Sequence, residues 1–108
     1  MLYEYRKYTA APGKLPAVHE RFEKSVLGLF DRHGMQVVGF WTPVVGATIS
    51  ELHYILKWDS AEQMQSSWGA FVSDPEWARV AAESERDGVL VASVDTQLWA
   101  STSYSPGP

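Results

Sequence analysis

Gln36-Val37-Val38-Gly39-Phe40-Trp41-Thr42 and Ser50-Glu51-Leu52-His53-Tyr54-Ile55-Leu56-Lys57-Trp58, joined by a stretch that holds Pro43 and Gly46, decide how this chain folds. β-Branched and aromatic residues dominate both arms and the turn formers sit only between them, so the pair reads as a β-hairpin. Alternation along a strand puts Leu52, Tyr54, Leu56 and Trp58 on one face and His53, Ile55 and Lys57 on the other. Both faces carry large side chains, which suits a sheet covered on both sides better than a surface hairpin.

Upstream, Leu2 to Thr9 alternates as a strand, with Tyr3, Tyr5 and Lys7 opposed to Leu2, Glu4, Arg6 and Tyr8. Ala11-Pro12-Gly13 breaks it. From Lys14 the apolar residues Leu15, Val18, Phe22, Val26 and Leu29 or Phe30 recur at the period of an amphipathic helix, which Gly34 closes. Downstream, Ser60 and Gln63 stand at capping-box spacing before a helix from Ala61 to about Val72. Asp74-Pro75 opens another, ending at Gly88. A last strand lies within Val89 to Ser103, centred on Val94 to Ala100, and Ser105 to Pro108 is expected to fray. The order β-α-β-β-α(α)-β predicts an α+β ferredoxin-like split β-α-β sandwich: a four-stranded antiparallel sheet with helices on one face. A second copy of the sheet is the simplest cover for the other face, to which Arg6, Tyr8, Trp99 and either Tyr54 or His53 are assigned; the expectation is a homodimer.

With 108 residues the chain is read as a single domain over 1–108. Five Trp, five Tyr and four Phe are many for that length, and some must line a pocket or an interface. Nine basic and thirteen acidic residues, scattered to a net charge of −4, leave no footprint for nucleic acid. No apolar run reaches bilayer length and Met1 to Arg6 begins directly in strand pattern, so no membrane partner and a cytoplasmic location are expected. Absence of cysteine removes thiol nucleophiles, disulfides and iron–sulfur clusters.

Several stretches together carry a family likeness: Tyr3-Glu4-Tyr5-Arg6-Lys7-Tyr8 before Pro12-Gly13-Lys14, His33-Gly34-Met35 leading into Gln36 to Thr42, Trp58-Asp59-Ser60, and Asp74-Pro75-Glu76-Trp77. The chain resembles the NIPSNAP family of the dimeric α+β barrel superfamily over nearly its whole length. That resemblance implies a ferredoxin-like protomer whose sheet packs face to face with a partner's, enclosing a cavity in each half. Antibiotic-biosynthesis monooxygenases, chlorite dismutase relatives, haem-degrading enzymes and muconolactone isomerase share the barrel, so the fold does not settle function. Where the family pattern often has His, this chain has Tyr54, with the imidazole next door at His53.

The ionisable cluster expected at the sheet centre is Glu4, Arg6 and Tyr8, either an ion pair that sets register or an anchor for a ligand. For catalysis the candidates are Tyr54, ranked first with Arg6, then Tyr8 and His53: a phenol or imidazole to move a proton and a cation to steady oxyanion charge. Only one of His53 and Tyr54 can face a given cavity. Glu4, Phe40, Trp41 and Trp99 are the expected substrate-binding residues. His19 reads as a helix-border residue and His33 as a helix cap. No three metal ligands share a spacing and no glycine-rich nest precedes a helix, so no cofactor or metal is expected. Two functions fit: a cofactor-independent isomerase, cyclase or monooxygenase acting on an apolar oxygenated molecule, such as a polyketide or aromatic intermediate of secondary metabolism, or a non-catalytic binding or stress-response dimer.

Overall fold

A computed structural model describes residues 1–46 and 48–107; Ala47, in the expected hairpin loop, and Pro108, the end of the expected tail, lie outside the described residues. Its elements are β1 (Leu2–Ala10), α1 (Leu15–Arg21), a π-helical turn (Phe22–Val26), α2 (Leu27–Arg32), β2 (Gln36–Trp41), β3 (Glu51–Trp58), α3 (Ala61–Val72), α4 (Pro75–Ser84) and β4 (Val91–Ala100). The strands form one antiparallel sheet in the order β2-β3-β1-β4, the ferredoxin-like arrangement.

Local chemistry sets the boundaries. The Ser60 hydroxyl accepts from Gln63 N at 3.1 Å, while the Gln63 side chain reaches Asp59 N, one residue before the cap. Asp74 Oδ1 accepts from Glu76 N at 2.9 Å at the start of α4, with Pro75 as the first helical residue. Gly34 adopts φ 67° just past α2, the left-handed stop expected there. The single helix expected from Lys14 instead contains the π turn, in which Leu27 N–H donates to the Phe22 carbonyl five residues back. π turns of this kind recur at functional sites.

The core lies between the sheet and the helices. Leu52, Tyr54, Leu56 and Trp58 are buried against Val18, Phe22, Val26, Leu29, Phe30 and Phe71. This geometry corrects the expected facing of the first strand. Arg6 pairs with Tyr54, Tyr8 with Leu52 and Glu4 with Leu56, so Glu4, Arg6, Tyr8 and Tyr54 all stand beneath the helices rather than on the open face. The cause is register: the most apolar row of β3 must be buried, and hydrogen-bonded pairing carries the even-numbered residues of β1 with it. Phe40 follows, opposite Tyr54 with ring centroids 5.1 Å apart. Tyr3, Tyr5, Lys7, His53, Ile55 and Lys57 share the open face with Trp41 and Trp99.

Candidate functional site

A hydrogen-bonded row of polar groups runs beneath the helices. Glu4, only 3% exposed, accepts at Oε1 from Trp58 Nε1 (3.0 Å) and Trp68 Nε1 (2.8 Å), and at Oε2 from Arg6 Nη1 (3.0 Å). Three donors on one buried carboxylate meet its need for compensation, and the pair with Arg6 leaves the two together nearly neutral. The Arg6 guanidinium lies 4.5 Å over the Trp68 ring and reaches the Tyr8 hydroxyl through Nη2 at 3.4 Å. Burial acts to lower the Arg6 pKa, but neighbouring Tyr54 and Tyr8 and the bonds to Tyr8 and Glu4 outweigh it, so the cation persists.

Proton counting gives the row a direction. Tyr8 and Tyr54 hydroxyls are 2.8 Å apart, and Tyr54 is fully buried. Burial first, and then Tyr8, raise the Tyr54 pKa well above its ordinary value while Arg6 opposes, so Tyr54 is a neutral phenol. Among the described residues the Tyr8 oxygen is the acceptor that the Tyr54 proton reaches. A buried O–H without an acceptor is costly, so Tyr54 donates to Tyr8. Arg6 can only donate as well. Both lone pairs of Tyr8 are then occupied and its own proton is left to point elsewhere.

That proton belongs to the wall of a cavity of about 160 Å³ between sheet and helices, lined by Arg6, Tyr8, Arg21, Phe22, Val26, Phe30, Trp68, Phe71, Val72 and Trp77. Tyr54 stands behind Tyr8 as a positioning group. Arg21 enters from the last residue of α1, its side chain 7% exposed, with Nη1 bonded to Glu85 (2.9 Å) and Ser84 (3.2 Å) and its guanidinium 5.3 Å from the Trp77 ring centroid. Neither Arg21 nor the role of Trp68 and Trp77 is evident from the sequence. The available signal was an arginine three residues past Val18, at the edge of the apolar stripe.

A larger groove of about 470 Å³ lies on the open face, lined by Tyr3, Val38, Trp41, Ile55 and Trp99 with residues of the C-terminal segment. Trp41 and Trp99, 51% and 40% exposed, thus share a groove but do not meet Arg6, Tyr8 and Tyr54, which the sheet separates from them. A Cβ at Gly39 would lie 2.9 Å from the Trp41 indole, so glycine lets that ring lie against the strand. Nearby, His53 Nε2 is 2.9 Å from Glu51 and its Nδ1 is 2.7 Å from the Tyr5 hydroxyl, while Tyr5 stacks on Trp99 at 5.0 Å. His53 is half-buried there. His33 pairs with Asp74 at 2.8 Å, joining the end of α2 to the start of α4 as a structural tie. Polar chemistry favours the smaller inner cavity as the site, because it holds two arginines and a phenol whereas the groove walls are mostly apolar. Among the described residues no three His, Asp or Glu side chains converge as metal ligands, and no helix is long and apolar enough to cross a membrane.

The sequence model of the NIPSNAP family matches residues 3–106. No curated protein matches. Among solved structures, a NIPSNAP family protein of unknown function from Agrobacterium tumefaciens superposes with a TM-score of 0.84 at 24% identity, covering 98% of this chain and 92% of that one. An uncharacterized NIPSNAP domain protein from Burkholderia xenovorans gives 0.84 at 19% identity over 99% and 100%. SnoaB, a cofactor-independent oxygenase from Streptomyces nogalater, gives 0.62 at 13% identity over 98% and 97%. At these identities the likeness concerns the fold alone, an α+β protomer with a four-stranded antiparallel sheet.

Proposed function

This chain belongs to the NIPSNAP family, and from the chemistry of its inner cavity we propose that it is a cofactor-independent enzyme acting on a small, mostly apolar molecule that bears an acidic oxygen. Arg6 and Tyr8 hold that oxygen as an oxyanion, and Tyr54 fixes the direction of the Tyr8 proton. The observation that carries this reading is the 2.8 Å contact between the Tyr8 and Tyr54 hydroxyls with Arg6 also donating to Tyr8, from which proton counting leaves the Tyr8 proton for a ligand. Preorganised donors of this kind lower the pKa of a bound phenol or enol. The resulting phenolate or enolate is the form that transfers a proton, closes a ring, or passes an electron to dioxygen. The oxygenase activity of SnoaB on the same fold is in keeping with the last of these.

We place the second copy of the chain on the open face, where Tyr3, Tyr5, Val38, Ile55, Trp41 and Trp99 form a mostly aromatic and aliphatic row. One observation favours the alternative, a non-catalytic binding or stress-response dimer. Among the described residues no histidine lines the inner cavity, and Glu4, the carboxylate nearest to it in the row, is already committed to three donors. A general base must then come from the substrate or from solvent.

A chromophoric phenol separates these ideas from inert packing. 4-Nitrophenol should bind as its yellow phenolate with an apparent pKa lowered by about one unit, ~1.4 kcal/mol of differential binding. Tyr8→Phe and Arg6→Gln should abolish the shift. A bound ligand whose pKa is unmoved would overturn the oxyanion role, and turnover of hydroxylated aromatics followed by absorbance and oxygen uptake separates enzyme from binder.

A further inference from the structure

The inner cavity has two cations, and they are not equivalent. Arg6 is neutralised by Glu4, itself buried. Arg21 is more enclosed, with a side chain 7% exposed against 18% for Arg6, but its ion-pair partner Glu85 is 37% exposed at the end of α4. Water screens the carboxylate more than the guanidinium, which favours positive potential on the cavity side of the pair. A tie between α1 and α4 accounts for Nη1, which bonds Ser84 and Glu85, yet leaves the buried Arg21 Nε without a protein partner, as the buried Arg6 Nε is at the other end of the cavity. A buried donor left in this way calls for an explanation.

The aromatic wall relates the two ends. Arg6 lies over Trp68 and Arg21 over Trp77, and Phe71 touches both indoles with centroids 5.3 and 5.1 Å away. Arg21 also lines an outer groove of about 320 Å³ with Ala17, Glu20, Lys24, Val80 and Glu83. Its side chain therefore stands between that groove and the cavity. A cavity of about 160 Å³ is close to the size that holds a single benzene ring, ~150 Å³.

We infer that Arg21 is a carboxylate-binding residue, and that the ligand of this cavity is a single-ring acid whose carboxylate replaces Glu85 on Arg21 while its hydroxyl or enol oxygen meets Tyr8 and Arg6. The inference rests on the oxyanion reading above for the far end of the ligand, and adds a second anchor and a size. Overall charge opposes it: the chain carries a net −4, so a preference for an anion must come from the local site.

The test compares 4-hydroxybenzoate with the neutral 4-hydroxybenzamide by isothermal titration calorimetry. The parent should bind the acid about tenfold tighter, the effect of one charge-assisted hydrogen bond in an enclosed site. Arg21→Gln should bring the acid down to the amide's affinity and leave the amide unchanged. Glu85→Gln, on a partly exposed side chain, should tighten the acid roughly threefold by removing its competitor, and it keeps the test decisive if Arg21→Gln folds poorly. The inference is overturned if the parent does not distinguish the two compounds, if Arg21→Gln keeps the preference, or if Glu85→Gln leaves the acid's affinity unchanged. Acid preference without any turnover would sink the enzyme reading alone. Turnover of neutral phenols without acid preference would sink the carboxylate anchor alone.

Discussion

Removing the Tyr8 hydroxyl and removing the Tyr54 hydroxyl should differ in cost, although each deletes the same 2.8 Å hydrogen bond. Tyr54→Phe takes away a donor and leaves Tyr8 bonded to Arg6 and facing the cavity, a loss of about 0.5–1.5 kcal/mol. Tyr8→Phe leaves the Tyr54 proton, on a residue with no exposed surface, without an acceptor, which costs about 1–3 kcal/mol. The double variant strands no tyrosine proton, although like Tyr8→Phe it removes the acceptor of Arg6 Nη2, so its cost should fall short of the sum by about 1 kcal/mol. Urea unfolding at one fixed protein concentration measures all three, the concentration being held because an oligomer's stability depends on it. Binding of 4-nitrophenol supplies the functional half: Tyr8→Phe abolishes the phenolate shift, while Tyr54→Phe weakens it severalfold because Tyr8 loses its orientation. Additivity within about 0.3–0.5 kcal/mol, or a Tyr54→Phe variant less stable than Tyr8→Phe, would refute the assigned direction of the bond.

Glu4→Ala should destabilise by about 3–5 kcal/mol in thermal or urea unfolding, since it leaves the Arg6 charge and two indole N–H groups without their acceptor; Glu4→Gln should cost less. Tyr54 has a folded pKa raised above the ordinary 10.0, so the stability it contributes is whole below about pH 10 and is lost as pH rises further. Absorbance titration of the phenols should show one tyrosine ionising only with unfolding, absent in Tyr54→Phe; a fully reversible titration of every tyrosine in the folded protein would contradict this. Light scattering at micromolar concentration should return twice the 12.1 kDa chain mass, with Trp41→Glu shifting the protein toward monomer; a strictly monomeric parent would remove the proposed sheet-to-sheet contact. Dialysis against chelator should leave ligand binding unchanged, because no three candidate ligands converge among the described residues.

Much of the architecture was legible because it depends on short-range chemistry. Alternation in Ser50 to Trp58, the Ser60 cap and the Asp74-Pro75 helix start each specify local backbone, and their order yields the ferredoxin-like sheet. The same alternation showed that His53 and Tyr54 point to opposite faces. It could not show which face the helices would cover, since parity is symmetrical until the register between distant strands is known. Pairing of Arg6 with Tyr54 and of Tyr8 with Leu52 decided that, and carried Glu4, Arg6 and Tyr8 inward while Trp41 and Trp99 stayed on the open side. Arg21 was hidden for a related reason. Its helical position is ordinary, and it becomes a site residue only because packing brings it to one cavity with Arg6 from β1 and Trp77 from α4. Residue types and periods along the chain determined which elements form and in what order; the long-range packing of those elements, which no local pattern encodes, decided which polar groups meet.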